Sequence, residues 1–274
     1  MLMSSLANRY ADQLLEARAH SRSLAPLSSL ATLSVEDAYD IAKSLDAIRI
    51  AEGEQPIGRK LGLFKRRYSQ DQNTSDVQAI FTSLFSSTVR VLENPFTVQS
   101  LVGAREPKLE PLVVFKLAET PARNATLNEL ADCLEWMAHG LEIVVNPYID
   151  CRFEVTDAIA AFGMHGALLI GEPRILSNST RHQLGDVLAD ASVSLSCDET
   201  LVGAGYGNNV MHNPLNALWH LHQLINSQTR FPSLHKGEVI ASGSWTNAYA
   251  IRAGQTWTTA FSGIGLAGLS VSFV

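Results

Sequence analysis

The chain has 274 residues, of which 46% are hydrophobic and 18% are charged, so it can build a sizeable core and is not intrinsically disordered. It carries 21 Lys and Arg against 27 Asp and Glu, and this net charge of −6 argues against nucleic-acid binding, which needs excess basic residues. No apolar run approaches the roughly 18 residues of a membrane span, and three cysteines without a CxxC spacing predict reduced, mostly buried thiols in a cytoplasmic protein.

The first 56 residues are predicted to be helical. Leu6, Tyr10 and Leu14 recur at a spacing of four residues, which is typical of one face of an amphipathic helix. Ser34 is the predicted N-cap of a second helix, and Gly53 is its predicted stop. Glycines then become frequent and apolar runs shorten, so we place a boundary near residue 56.

Residues 57–274 are predicted to be mainly β. The predicted strands are 59–64, 87–92, 110–117, 141–145, 167–171, 191–197, 237–243, 255–261 and 266–274. A capping box at Thr126 predicts a helix through Met137, and Asn213 followed by Pro214 predicts the start of another. The glycine-rich stretch 203–207 lacks a dinucleotide-binding context and is interpreted as a hairpin turn. The chain is therefore predicted to be an α+β protein with a curled β part.

Two glutamates in apolar strands are candidate metal ligands. Glu110 begins a strand that is apolar on both faces, and Glu142 lies within the run LEIVV. A buried carboxylate is costly unless it is paired or binds a metal. If the two strands are neighbours, the carboxylates could converge on a hard cation such as Mg²⁺. The alternatives are a pair between Glu110 and Lys108, and a hydrogen bond from His139 or the backbone to Glu142.

Lys60 and His165 are candidate catalytic residues. Lys60 lies between two glycines at the start of an apolar strand, where a lysine can bind an anionic substrate or transfer a proton. His165 lies on a tight connection between two glycines. The alternatives are an edge lysine that prevents strand addition and a structural histidine. No HExxH, P-loop or GxSxG motif is present.

Four stretches together resemble the hydratase/decarboxylase branch of the fumarylacetoacetate hydrolase superfamily. Their order and spacing agree over about residues 34–274. The stretches are IGRKLGLF at 57–64, KLEPLVVFKL at 108–117, the segment from HGLEIVV to GALLIGEP at 139–173, and the ending from GEVIASGSW at 237.

This resemblance implies a helical N-terminal part, residues 1–56, and a mixed β-roll of the fumarylacetoacetate hydrolase type, residues 57–274, in a homo-oligomer. It also implies Mg²⁺ or Mn²⁺ held by three acidic residues. Two of these match Glu110 and Glu142, but the third falls on Leu112, which cannot bind a metal. A pair that positions the substrate in many hydratases is replaced here by Ala161 and Phe162.

The implied function is a metal-assisted, hydratase-type lyase acting on a small 2-oxo acid related to 2-oxopent-4-enoate, a substrate class of aromatic catabolism. Lys60 and His165 are the predicted catalytic residues, and Arg59, Lys60 and Ser244 the predicted substrate-binding residues. Two alternatives remain: a C–C bond hydrolase or decarboxylase of the same superfamily, and a catalytically weak member that acts as a ligand-binding or partner subunit.

Overall fold

The computed structural model describes residues 2–65, 77–149 and 153–274. The α-helices in these ranges are α1 Leu2–Ala19, α2 Val35–Ala51, α3 Leu127–Asp132, α4 Val155–Ala160, α5 Asn178–His182, α6 Leu184–Asp190 and α7 Pro214–Asn226. The strands are β1 Pro56–Lys65, β2 Val77–Phe85, β3 Val89–Val91, β4 Phe96–Gln99, β5 Lys108–Leu117, β6 Leu134–Val144, β7 His165–Ile170, β8 Arg174–Ile175, β9 Ser192–Cys197, β10 Thr200–Tyr206, β11 Val239–Ala241, β12 Tyr249–Ala250, β13 Thr256–Ser262 and β14 Ser270–Phe273.

The helices begin where the sequence predicts. Ser34 and Thr126 each form a capping box, in which the side chain accepts from the backbone N–H three residues later. Asn213 caps α7 in the same way, with Pro214 at its first position. The end predicted for α3 at Met137 is wrong, because the helix ends at Asp132 and the following residues form β6. Pairing of this first part of β6 with β5 and β8 outweighs the local helical pattern.

In the described residues, the strands form two sheets. Nine strands form the larger sheet, ordered β2-β1-β11-β5-β6-β7-β3, with β12 added to β5 and β8 to β6. Five strands form the smaller sheet, ordered β10-β9-β13-β14-β4. The chain is therefore an α+β protein, as predicted. The sequence did not predict β2, β4, β8, β10 or β12.

The glycine-rich stretch 203–207 is not the predicted hairpin turn. Its first four residues belong to β10, which pairs antiparallel with β9, and the turn lies earlier, at Asp198 and Glu199. Both turn residues have positive φ, 46° and 69°. At Gly205 a Cβ would lie 2.1 Å from the carbonyl oxygen of Trp245. The glycines thus allow a strand to pass close under another backbone segment.

The core has two parts that meet at the large sheet. The main cluster joins the helices to the sheets and includes Leu14, Ile41, Leu61 and Phe81. A smaller apolar cluster, which we call the inner cluster, lies on the opposite face of β5 and β6. Its members are Leu84, Leu112, Val114, Trp136, Ala138, Leu168, Ile170 and Ala241. Glu110, Glu142 and Lys60 fall on this same face by strand alternation.

The thiols differ from the sequence prediction. Cys133 and Cys197 are unpaired, but both are only half-buried, so the prediction of buried thiols is wrong for these two. Cys151 lies outside the described residues. In the part of the chain that the structure describes, no helix is long and apolar enough to cross a membrane.

Gly58 should be far less replaceable than Gly62, although both lie in β1. A Cβ at Gly58 would lie 1.8 Å from the carbonyl oxygen of Val239 on β11, whereas one at Gly62 would lie 3.0 Å from the flexible side chain of Ile80. We expect Gly58→Ala to lower the free energy of unfolding by about 3 kcal/mol or more, and Gly62→Ala to cost about 1 kcal/mol. Urea unfolding of both variants measures this, and equal losses would contradict the close approach of β1 and β11.

Candidate active site

A cavity of about 720 Å³ opens at one end of the large sheet. Lys60 of β1 and Glu110 of β5 reach it from the sheet, and Ser244 reaches it from the loop before β12. Its apolar walls include Leu63, Phe64, Ile80, Phe153 and Tyr249. The cavity thus combines a cation and a carboxylate at one end with a wall suited to a hydrocarbon chain.

The carboxylate of Glu142 is the centre of the polar cluster beside this cavity. Glu142 lies near the C-terminal end of β6, directly opposite Glu110 on β5, and is 1% exposed. Its Oε1 atom accepts from Lys60 Nζ at 2.7 Å and lies 2.8 Å from His165 Nδ1. His139, one alternative partner in the sequence analysis, instead directs its ring toward the Ala267 carbonyl.

The protonation states follow from burial and from these contacts. Burial disfavours the charged form of Glu142, but Lys60 and His165 together outweigh it and hold the pKa of Glu142 below its ordinary value. Burial also lowers the pKa of His165 and outweighs the opposing effect of Glu142. Because an ionised carboxylate only accepts, the proton of the neutral imidazole lies on Nδ1. Its Nε2 atom lies 3.0 Å from Thr88 Oγ1.

Glu110 differs from Glu142 in its charge. Burial raises the pKa of Glu110 to about 7, and the nearby carboxylate of Glu142 adds to this effect, while Lys60 opposes it. Glu110 and Lys108 form no ion pair with each other, and Lys108 is exposed. Glu110 can therefore exchange a proton near neutral pH or accept a cation in its place.

Lys60 also holds the turn that precedes His165. Its Nζ atom donates to the carbonyl oxygen of Gly163 at 3.1 Å. Phe162, Gly163 and Met164 have positive φ values of 57°, 56° and 61°. The left-handed conformation costs about 1 kcal/mol or more at each of the two non-glycine residues, so the surrounding contacts must maintain it.

Arg59 and Ser244 occupy different environments. Neighbouring residues in a strand point to opposite faces, so Arg59 points away from Lys60. Its Nη1 atom lies 3.2 Å from Glu238 Oε1, and it does not line the cavity. The structure therefore does not bring Arg59 to the predicted substrate site. Ser244 lines the cavity, where its Oγ atom donates to the carbonyl oxygen of Thr246 at 3.0 Å.

Thr88 is a site residue that sequence reasoning missed. It ends a short 3₁₀ segment, Ser86–Thr88, and reaches His165 from 77 positions earlier in the chain. A lone threonine after a strand carries no sequence signal for such a contact, which arises from the pairing of β3 with β7 and the contact of the 3₁₀ segment with β7.

Glu110 and Glu142 supply some of the oxygen ligands that a hard cation such as Mg²⁺ requires. Leu112, at the expected third ligand position, is fully buried in the inner cluster, and its Cδ1 atom would lie 2.6 Å from a Cβ at Gly140. Among the described residues, no group of three His, Cys, Asp or Glu could hold a metal ion. However, Glu142 Oε2 is buried without a hydrogen-bond partner. Two carboxylates, one with a free buried oxygen, fit Mg²⁺, which often takes one or two carboxylates and keeps several waters.

Comparison with curated proteins finds hydratases and a decarboxylase that match nearly the whole chain. The sequence is 27% identical over 257 residues to 2-hydroxyhexa-2,4-dienoate hydratase of Comamonas testosteroni, with 92% of each chain covered. It is 26% identical to 2-keto-4-pentenoate hydratase of Paraburkholderia phymatum, with 93% of each chain covered, and 25% identical to a 4-oxalocrotonate decarboxylase of Pseudomonas, covering 90% of this chain and 91% of the relative. No family model matches the sequence.

Solved structures give the fold. The 4-oxalocrotonate decarboxylase of Pseudomonas putida G7, complexed with magnesium and adipate, superposes with a TM-score of 0.84 at 18% identity over 98% of each chain. Fumarylpyruvate hydrolase of Pseudomonas aeruginosa, with Mn²⁺ and pyruvate, reaches a TM-score of 0.51 at 14% identity, covering 80% of this chain and 93% of the other. The predicted resemblance to the hydratase/decarboxylase branch, and the predicted fold, are thereby confirmed.

Leu112→Glu should make folding depend on a divalent cation. In the apo protein we expect a loss of about 3 kcal/mol or more in the free energy of unfolding, because the new carboxylate enters the inner cluster. Position 112 shares its face with Glu110, so a third carboxylate should raise Mg²⁺ affinity roughly 10- to 100-fold and restore part of the loss. Urea unfolding with and without millimolar Mg²⁺ measures this.

Leu112→Gln is the matched control, because it has the same size and polarity without the charge. Mg²⁺ should leave its stability unchanged. If Mg²⁺ stabilises neither variant, or stabilises both equally, position 112 does not face a cation site.

Proposed function

We propose that this chain, similar over nearly its whole length to 2-oxo acid hydratases and decarboxylases, is a metal-assisted lyase of the hydratase type. Its substrate would be a small 2-oxo acid of the 2-hydroxydienoate or 2-oxopent-4-enoate kind. The observation that carries the proposal is the convergence of Lys60 and His165 on one oxygen of Glu142, beside a cavity that Glu110 enters.

We assign a divalent cation, Mg²⁺ or Mn²⁺, to Glu110 and Glu142. When bound, it would act as a Lewis acid on the 2-oxo acid and stabilise its enolate. The buried and unpartnered Glu142 Oε2 atom supports this assignment. Because Leu112 supplies no third carboxylate, affinity for the cation should increase when the substrate is also bound.

Lys60 is the group that meets the substrate. It lines the cavity, and its ammonium lies 2.7 Å from Glu142. Lys60 would bind the carboxylate of the 2-oxo acid or the enolate oxygen, and Ser244 would help to orient the substrate. Burial raises the pKa of Glu110 to about 7 in the absence of a metal, so near neutral pH the cation would have to displace a proton from this carboxylate.

His165 acts through Glu142 in this proposal. It is 2% exposed, does not line the cavity, and has both ring nitrogens next to protein partners. A C–C bond hydrolase would need this histidine to activate water directly, and its burial disfavours that alternative. Decarboxylation remains the second candidate, supported by the 25% identity to a 4-oxalocrotonate decarboxylase. A cytoplasmic homo-oligomer is our expectation for the whole protein.

Glu142→Gln should remove cation binding and turnover while the fold is retained. The amide loses the charge that attracts the cation and leaves Lys60 without an ionised partner. We expect no Mg²⁺ binding by calorimetry in the presence of oxalate, and no loss of dienoate absorbance on turnover. Glu135→Gln is the control, since it lies on the same strand and pairs with Lys116 at the surface. Wild-type binding and activity in Glu142→Gln would refute the site.

Lys60→Met and His165→Gln should differ in their effects on enolisation. We would follow solvent deuterium exchange into 2-oxopentanoate by NMR, separately from overall turnover. Lys60→Met should abolish exchange, because the lysine meets the substrate. His165→Gln should slow exchange by about 10²-fold, because it only orients Glu142. Lys116→Met is the surface control.

Full exchange in Lys60→Met would remove the role assigned to that lysine. If His165→Gln keeps normal exchange but loses turnover, the result would instead favour the C–C bond hydrolase hypothesis, in which the histidine activates water.

A further inference from the structure

A second, smaller pocket lies on the other side of the turn that carries His165. Its volume is about 40 Å³, and it is formed by the end of α1 together with the loops before β5 and after β6. Three arginines line it: Arg18 and Arg22 from the end of α1 and the residues that follow, and Arg105 from the loop before β5. His165 and Phe162 form its wall toward the active site.

The positive charge of this arginine pocket is only partly compensated by the residues that the structure describes, since Glu54 attracts Arg18 without forming an ion pair with it. The guanidinium of Arg18 donates to two neutral acceptors, the carbonyl oxygens of His165 at 2.9 Å and Gly166 at 3.1 Å. Within residues 2–65, 77–149 and 153–274, no ion pair forms to Arg18, Arg22 or Arg105.

Burial makes this charge costly. It lowers the pKa of Arg18 to about 10, with a further contribution from Arg49. The Nε atom of Arg105 is buried and has no hydrogen-bond partner. A buried donor that lacks a partner and a partly buried charge that is not fully compensated both raise the free energy of the folded state. An anion in the pocket would relieve both.

We propose that the arginine pocket binds a small oxyanion, a phosphate or a simple carboxylate. Guanidinium groups supply planar pairs of N–H donors that match oxyanions. The volume of about 40 Å³, against about 720 Å³ for the active-site cavity, suits a small ion and not a longer 2-oxo acid. The site is separate from the cavity that holds Lys60, and the proposal does not depend on the proposed reaction.

The contacts of Arg18 predict what the anion would stabilise. The same guanidinium that faces the pocket holds the backbone of the turn 162–166, where two non-glycine residues have positive φ. A bound oxyanion would offset the free-energy cost of burying that guanidinium, and so would stabilise its hydrogen bonds to the turn. Anion binding should therefore raise the thermal stability of the protein.

Calorimetric titration with inorganic phosphate, at constant ionic strength, tests the site. The wild type should show saturable binding and a matching rise in melting temperature. The double variant Arg22→Gln/Arg105→Gln should bind at least 10-fold more weakly, because each charge-assisted contact is worth about one order of magnitude. Arg22→Gln alone, at an exposed position, tests the site should the double variant fail to fold. Acetate in place of phosphate shows whether the pocket also accepts a carboxylate.

Two controls separate this pocket from other effects of phosphate. Arg9→Gln, an exposed change on α1, should bind like the wild type, which accounts for general salt effects. Lys108→Met should also retain binding, because this exposed lysine lines the other cavity and does not contact the turn. Absence of saturable phosphate binding to the wild type, unchanged binding in the arginine variants, or loss of binding in Lys108→Met would each overturn the proposal.

Discussion

The site depends on the burial of one carboxylate. Glu142 is buried near the end of a strand that is paired on both sides, where an uncompensated charge would cost several kcal/mol. Lys60 and His165 supply the compensation through the same oxygen atom. Removing either partner from a buried pair of this kind typically costs about 3–5 kcal/mol. The positions of β1, β6 and the turn before β7 are therefore coupled through a single side chain.

This coupling explains why unusual backbone features gather near the site. Gly58 lets β1 pair closely with β11, and this pairing positions Lys60 two residues later in the same strand. The turn 162–164 keeps three consecutive positive φ values, and its Gly163 carbonyl accepts from Lys60. Arg18 holds the same turn from the other side. The strained turn is thus fixed between two cations, and His165 follows directly from it.

Leu112 contributes apolar packing at a position where a third carboxylate would contribute to metal binding. On the face where a third carboxylate would bring metal affinity, the chain has an apolar side chain within the inner cluster. The remaining carboxylates differ in character, since the pKa of Glu142 is lowered and that of Glu110 is raised to about 7. A cation there would be held partly by the substrate. The protein would then bind its cation and its 2-oxo acid cooperatively, each increasing the affinity for the other.

Local sequence signals predicted the helix starts and the residues with costly charges. Ser34, Thr126 and Asn213 cap helices because capping depends on neighbours in the chain. Glu110 and Glu142 were identified because carboxylates in apolar strands need partners. Register and packing between distant segments could not be predicted. The direction of Arg59, the contact from Thr88 and the arginine pocket all arise from such long-range packing, and so does the early end of α3.

The most direct test is a crystal structure with Mn²⁺ and oxalate, measured at the manganese absorption edge. The account predicts one anomalous peak in the cavity, bonded to the carboxylates of Glu110 and Glu142 and to oxalate, and a much weaker peak when oxalate is omitted. A peak away from these two residues, or no peak in the cavity with oxalate present, would contradict it.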